Sequence, residues 1–430
     1  MLFVVEECYN CFVMKFNRST LISIIAFFTI YAISCIFKLS SNIIMPIFQQ
    51  RFALSHAMTG LITGAYYIGY APMQLFASPL CKKWGTHNVI GGFILLSMTG
   101  ALFWAFAKGS AYVLIGRLLL GIGVGPAYIG ILYYITTITD KKTYALLAGI
   151  ANCAGNAGGI MASAPIKMLV ELFDVRGTFL FFALLLATLS TALFILGKNE
   201  NRILAHSDDS SLKKNIKDAF KTLISSKILK SSAVVWMSFN VYQLCYIGLW
   251  SAKWANEAYN ASSIWTWSAS IGALGLCLGT LLSEFFRRKN ESRFRSAITS
   301  EYLFALSGFL VVFAHNLTAL GITSIAGIFV VKSIIDFYFG FAMGHMCIQI
   351  TAVIREIAPR EVNATILGII NGMGSLSCLV FQWLTGAMYD VFHRYYAPNT
   401  SYNLVFLLVS FLSLIIILNA SHILKKADKA

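Results

Sequence analysis

Twelve stretches of the 430-residue chain are each apolar over a length that can cross a bilayer, and this feature leaves little choice of fold. A helix needs roughly 20 such residues to span the hydrocarbon core. The stretches fall at 21–45, 57–80, 88–107, 111–135, 144–169, 176–197, 231–254, 264–285, 297–314, 319–347, 363–388 and 402–423. In lipid every backbone N–H and C=O must be satisfied internally, so runs of this length are helices. Barrel strands would be about ten residues long with alternating polarity, a pattern this chain lacks. Hydrophobic residues make up 58% and charged residues 12%, where a soluble domain carries about 25% charge. An ordinary soluble enzyme is excluded, and an all-α, multi-pass membrane protein is expected.

Lys and Arg number 33 against 18 Asp and Glu. In a soluble protein that excess would suggest nucleic acid, but in a polytopic protein basic residues collect in cytoplasmic loops. No nucleic-acid partner is therefore expected. With the N-terminus inside, 24 basic residues fall in inner segments and five outside, namely Arg51, Lys108, Arg176, Lys253 and Arg394. Both termini are thus expected in the cytoplasm, with an even number of spans. The polar stretch 198–230 splits them into six and six. The expected organisation is a cytoplasmic lead-in 1–20, a first bundle 21–197, a cytoplasmic linker 198–230, a second bundle 231–424 and a tail 425–430. The lead-in does not read as a signal peptide, because Glu6 and Glu7 precede any basic residue. Six of the nine cysteines, Cys35, Cys153, Cys245, Cys277, Cys347 and Cys378, lie in apolar runs, where a thiol acts as a small hydrophobe. No CxxC or Cys/His cluster suggests a metal, and no Walker loop, nucleophile elbow or zincin motif is present. No cofactor and no enzymatic activity are expected.

Three local patterns accompany this topology. The loop after the second stretch reads Ser78-Pro79-Leu80-Cys81-Lys82-Lys83-Trp84-Gly85-Thr86-His87, similar to G-x-L-x-D-R-x-G-R-R but with Lys82 at the Asp position. The fourth stretch carries Arg117-Leu118-Leu119-Leu120-Gly121-Ile122-Gly123, close to R-x-x-x-G-x-G. The fifth has Gly155-Asn156-Ala157-Gly158-Gly159, and small residues of this kind let helices approach closely. Together these resemble the major facilitator superfamily, whose fold of two six-helix bundles the resemblance implies here. Phe37-Lys38-Leu39-Ser40-Ser41, the segment Ala65 to Gln74, Gly248-Leu249-Trp250 and Asn363-Ala364-Thr365 are similar to segments of bacterial organic-anion and phagosomal nutrient (amino-acid) transporters. That likeness implies a bacterial inner membrane. The segment Asn240-Val241-Tyr242-Gln243-Leu244-Cys245-Tyr246 of the seventh stretch has no basic residue where the organophosphate branch of these transporters carries an Arg, so the resemblance disfavours a doubly charged phosphate substrate.

Ionisable side chains inside a bilayer are costly, so each is a functional candidate. Lys38 shares a helical face with Ser34 and Asn42, and reads either as a seat for a substrate carboxylate or as a packing lysine paired to a neighbouring span. Lys332 and Asp336 are four apart, on one face and by count near mid-membrane. They read as a neutralising structural pair or as a proton-coupling site. For Arg117 the family resemblance implies a cavity-facing role in proton coupling, the alternative being a side chain that snorkels to the outer interface. Lys167 and Glu171 read as a rim pair, and Trp265 and Trp267 as outer belt residues.

Polar stripes complete the candidate site. Tyr66, Tyr70 and Gln74 recur every four residues, as do Tyr242, Tyr246 and Trp250. Asn152 and Asn156, Asn240 and Gln243, and Asn371 and Gln382 add amides. An unsatisfied amide in hydrocarbon costs several kcal/mol, so these faces should line water or bond between helices. The resulting expectation is a monomeric secondary transporter working by alternating access, with protons and the lipid bilayer as partners and a small polar metabolite as cargo. A small amino acid is preferred, Lys38 taking its carboxylate and Asp336 its ammonium or the coupling proton. An organic monoanion is the alternative, followed by a drug exporter and a non-transporting sensor.

Overall fold

The computed structural model describes residues 17–139, 141–198, 209–260, 264–286, 291–359 and 362–429. Most of the lead-in 1–20, the first part of the linker 198–230 and Arg360 lie wholly or partly outside the described residues. The chain is helical throughout. Span 1 is Arg18–Leu39 continued by Ser41–Arg51, span 2 His56–Trp84 and span 3 Thr86–Ala105. Span 4 is Ser110–Val124 with Ala127–Ile138, span 5 Lys141–Met161, and span 6 lies in Ala164–Leu196. A linker helix, Asp209–Ser225, leads to span 7, made of Lys227–Val241, a π-helical stretch Tyr242–Trp250 and Ser251–Tyr259. Spans 8 to 12 are Trp265–Phe286, Arg293–Phe313, Ile325–Ile357, Asn363–Phe392 and Pro398–Ala427. "Outer" and "inner" below follow the basic-residue asymmetry.

Nine described helices are long and apolar enough to cross a membrane by length and composition alone. The three spans that fall short are 2, 5 and 7. They carry the Tyr66–Gln74 stripe, the Asn152–Asn156 pair and the Asn240–Gln243 amides, and they meet the other bundle: span 1 packs on span 7, span 2 on span 11 and span 5 on span 8. Their polarity and their position are one fact, since a face buried between bundles need not dissolve in lipid.

The breaks within spans have local causes. Span 1 turns at Ser40, whose N–H bonds to Ile36 O at 2.8 Å. Span 4 is interrupted before Pro126, which has no N–H to give to the ladder. Asp174, at φ 55°, kinks the run that leads into span 6. Span 5 ends at Met161, and Lys167 and Glu171 sit on a separate outer segment, 3.8 Å apart. Span 10 begins at Ile325, later than expected, and runs 33 residues to Ile357. Lys332 and Asp336 are therefore about 10 Å and about 17 Å from the outer end of their helix at 1.5 Å per residue. Trp265 is buried against Tyr259 and is not a belt residue, whereas Trp267 is exposed.

Candidate functional site

The outer side of the molecule is closed by polar contacts across all three seams between the bundles. On the seam of spans 1 and 7, Asn42 Nδ2 donates to Ser251 Oγ at 3.1 Å and Asn42 Oδ1 accepts from Ala252 N at 3.1 Å. On that of spans 5 and 8, Ser270 Oγ accepts from Ala164 N at 3.2 Å and donates to Ile160 O at 3.3 Å. On that of spans 2 and 11, Asp390 accepts from His56 N at 3.1 Å and from Ala57 N at 2.8 Å, capping span 2. His56 Nδ1 donates to Asp390 Oδ1 at 2.9 Å. Lys253 Nζ donates to His56 Nε2 at 2.8 Å and to Gln49 Oε1 at 2.7 Å. Burial, then the Lys253 ammonium, lowers the His56 pKa to about 4 at this outer mouth.

The span 2–span 11 seam is tightest at its outer end. A Cβ on Gly60 would sit 2.0 Å from Gln382 O, and one on Gly386 2.2 Å from His56 O. Toward the inside the backbones separate, to 3.9 Å between a Cβ at Gly368 and Gln74 O. Midway, Asn371 Nδ2 donates to Gln74 Oε1 at 3.2 Å, while Gln74 Nε2 donates to Gly125 O at 3.0 Å.

Lys38 faces this space. Its Nζ stands 5.6 Å from the centre of the Tyr70 ring, and its charge acts on Cys347 of span 10 and Cys378 of span 11 across the seam. It is half-buried and has no ion pair or hydrogen bond to its side chain among the described residues. A lysine paired to a neighbouring span is thus not what the structure holds. Tyr66 stacks on Tyr70 at 5.4 Å.

Arg117 neither snorkels nor faces a cavity. It is fully buried, and its guanidinium donates to three carbonyls: Thr63 O at 3.2 Å, Lys38 O at 3.4 Å, and Phe37 O. The turn at Ser40 takes Phe37 and Lys38 out of the helical ladder, and Arg117 fills the missing donors. It also packs over the Tyr66 ring at 4.6 Å. A cation at a helix C-terminus meets the negative end of the dipole. Arg117 is therefore the group that fixes the bend carrying Lys38.

The second charged cluster lies within the second bundle. Lys332 Nζ donates to Asp336 Oδ2 at 2.6 Å, and Tyr246 O–H donates to Asp336 Oδ1 at 2.9 Å. Ser268 Oγ also donates to Asp336, and Lys332 reaches both Tyr246 and Ser268 at 3.4 Å. All are buried. A crevice lined by Ser251, Gly272 and Phe339 borders Asp336, too tight in this conformation for water. Sequence spacing supplied the Lys–Asp pair but not Ser268, which comes from another span.

The remaining amides divide. Gln382 Nε2 donates to Leu244 O at 2.8 Å, a carbonyl of the π-helical stretch, and Asn240 donates to Trp236 O at 2.9 Å; both are packing groups inside the second bundle. Tyr242 bonds Ser410, and Trp250 Nε1 donates to Thr385 Oγ1 at 3.0 Å, so that stripe also turns inward. Asn42 is spent on the outer seam. Asn152 and Gln243 are half-buried with no hydrogen-bond partner among the described residues, and Asn156 contacts Cys277 across the span 5–span 8 seam. The structure thus gathers Lys38, Tyr66, Tyr70, Gln74 and Asn371 together and leaves Tyr246, Lys332 and Asp336 as a separate group. Among the described residues no group of His, Cys, Asp or Glu could hold a metal ion.

Two helical bundles closed over a shared polar seam agree with the family comparison, in which the profile of the Major Facilitator Superfamily matches residues 22–382. The chain belongs to the major facilitator superfamily. It is a multi-pass membrane protein of a transporter family, not an enzyme. The hexuronate transporter of Bacillus subtilis (strain 168) is 21% identical over 87% of this chain and 89% of its own. The L-fucose-proton symporter of Escherichia coli (strain K12) is 29% identical over 28% of each chain, so the match spans under a third of that protein. Among solved structures, the nucleoside transporter NupG superposes with TM-score 0.71 at 14% identity over 95% of this chain and 99% of its own. A bacterial homologue of the lysosomal transporter Spinster gives 0.68 at 16% identity over 96% and 98%. These two likenesses carry the fold.

Proposed function

We propose that this superfamily member is a proton-coupled secondary transporter that takes up a small organic monoanion, a carboxylate bearing hydroxyl groups. The observation that carries the reading is the unpaired Lys38 ammonium, aimed into the seam between the bundles beside Tyr70. A lone fixed cation in a low-dielectric seam asks for one negative charge. Tyr70, Gln74, Asn371, Asn152, Asn156 and Gln243 offer hydroxyl and amide groups for the rest of the molecule. A relative named for hexuronate, a hydroxylated monocarboxylate, points the same way.

The small amino acid expected from the sequence finds no support. Asp336, the carboxylate expected to take its ammonium, is spent on Lys332, Tyr246 and Ser268. That cluster fits the coupling role instead. A proton on Asp336 releases Lys332 as a second uncompensated cation, so the site gains positive charge when it is protonated and attracts the anion with it. Proton and anion then cross together without net charge. Bundles 21–197 and 231–424 rock about the linker 198–230 in the inner membrane of a bacterium, both termini in the cytoplasm, each chain acting as a monomer.

Proteoliposomes loaded at neutral pH and diluted into acid test this with labelled galacturonate. Wild type should accumulate it under the gradient. Losing a charge-assisted contact is worth at least about tenfold, so Lys38→Ala should fall by that much. Asp336→Asn should keep counterflow exchange and lose gradient-driven accumulation. If both variants, correctly inserted, transport as wild type does, the assigned site is wrong.

A further inference from the structure

Away from the seams, a hollow of about 760 Å³ opens where span 2 ends and span 3 begins. Its rim is polar: Lys83, Trp84 and Asn88. Its wall is apolar and lies on one face of span 3, where Gly92, Phe93 and Leu96 follow Asn88 at helical spacing. Gly92 lies on this wall without a side chain. A Cβ there would meet nothing within 4 Å, so the helix face is bare where a side chain would otherwise fill it.

The polarity changes with depth. Asn88 Nδ2 donates to Trp84 O at 3.1 Å, holding the amide at the helix start. The Lys83 ammonium stands 5.6 Å from the centre of the Trp84 ring and has no carboxylate partner among the described residues. From Asn88 to Leu96 the helix rises about 12 Å, against about 15 Å for one leaflet of hydrocarbon. By the basic-residue asymmetry the rim lies at the inner membrane surface, next to a second lysine, Lys82. Cation, indole and amide therefore sit at headgroup level, with an empty apolar trough of leaflet depth beneath them.

No water-soluble solute matches that profile, since everything below the rim is hydrocarbon. A helix of a second copy would set Lys83 against its own like charge. We infer that the hollow binds one acidic glycerophospholipid of the inner leaflet. Its phosphate lies against Lys83, its glycerol region against the Trp84 indole, and one acyl chain runs down span 3 across Gly92. The surface is separate from the substrate seam and does not depend on what the protein carries.

Native mass spectrometry of the full-length protein, released from detergent after incubation with dioleoyl phosphatidylglycerol or dioleoyl phosphatidylcholine, tests the assignment. A single lysine at a membrane surface gives about a fivefold preference for an acidic lipid, so wild type should retain one phosphatidylglycerol at about that ratio. Lys83→Gln should reduce that preference, Lys82 remaining beside the rim. Gly92→Leu sets a side chain in the path of the acyl chain and should lower retention of both by about tenfold. Open space at Gly92 predicts an unchanged thermal unfolding temperature for that variant, measured in parallel. The inference is overturned if wild type retains neither lipid or both equally, or if Gly92→Leu leaves retention as it was.

Discussion

Arg117 shows how a single residue can serve a site it does not touch. Burying a guanidinium without an acid costs several kcal/mol unless its donors are filled, and here three carbonyls fill them. Two of those carbonyls belong to Phe37 and Lys38, so the bend in span 1 and the aim of the Lys38 side chain depend on a residue of span 4. Arg117→Lys keeps the charge but not the planar fork that reaches three acceptors, and is not a conservative change. Arg117→Ala should destabilise the protein by about 3 kcal/mol, the cost of carbonyls left unpaired by loss of a charged donor, and Arg117→Lys by about half that. Thermal unfolding in detergent reads the order wild type, Lys, Ala. Equal melting of all three would mean that Arg117 does not hold the bend. A sequence states that Arg117 is charged and within a span. It does not state that its partners are backbone atoms, because carbonyls carry no signature in the residue code.

At the scale of helices, the junction between spans 2 and 11 depends on the absence of side chains. Gly60 and Gly386 face backbone of the opposite span so closely that a methyl group would overlap a carbonyl oxygen. Gly60→Ala should therefore prop the outer seam open. Cys378, buried in span 11 close to this junction, should become reactive to a membrane-impermeant maleimide added from outside, with peptide mass mapping to locate the label. No gain of labelling at Cys378 would show that the seam closes in spite of the methyl group. Lengths and order of the spans were legible because hydropathy reports which stretches avoid water. Their interruptions were less so. The run 144–169 crosses the end of span 5 at Met161, and 319–347 begins before the span 10 helix at Ile325, because apolar residues also cover turns at the membrane surface. The π-helical turns around Tyr246 leave no trace in composition, nor does the bond that Leu244 O accepts there from Gln382.

Over the whole molecule, closure of the outer side joins residues that no local pattern connects. His56 and Asp390 are 334 positions apart, and Lys253 approaches His56 from span 7. In the sequence His56 and Asp390 stand just outside the apolar stretches 57–80 and 363–388 with nothing to join them, while Lys332 and Asp336, four apart, were legible as a pair. The same geometry makes the outer mouth sensitive to acid. With its Nδ1 hydrogen given to Asp390, neutral His56 presents a lone pair at Nε2 to the Lys253 ammonium. Protonation puts a second N–H there, donor against donor. Burial and Lys253 hold His56 at about 4 in the closed mouth, against 6.5 in solvent, with Asp390 pulling the other way and His393 adding a weaker push down. Glu257 acts on Lys253 from its own helix, and the Tyr389 ring lies 3.9 Å away. The sign follows from proton counting. The open mouth binds the proton more readily, so closure is fully favoured above the solvent value of 6.5 and is lost as pH falls from there toward 4, by at most about 3 kcal/mol. Spin labels at positions 51 and 395, on opposite bundles at the outer rim, should report a longer distance as pH is lowered from about 7.5 to about 5. His56→Gln can still donate to Asp390 and accept from Lys253, yet cannot titrate, and its distances should stay constant across that range. If wild type and His56→Gln open together, acid acts elsewhere. If wild type does not open at all, the histidine is no gate.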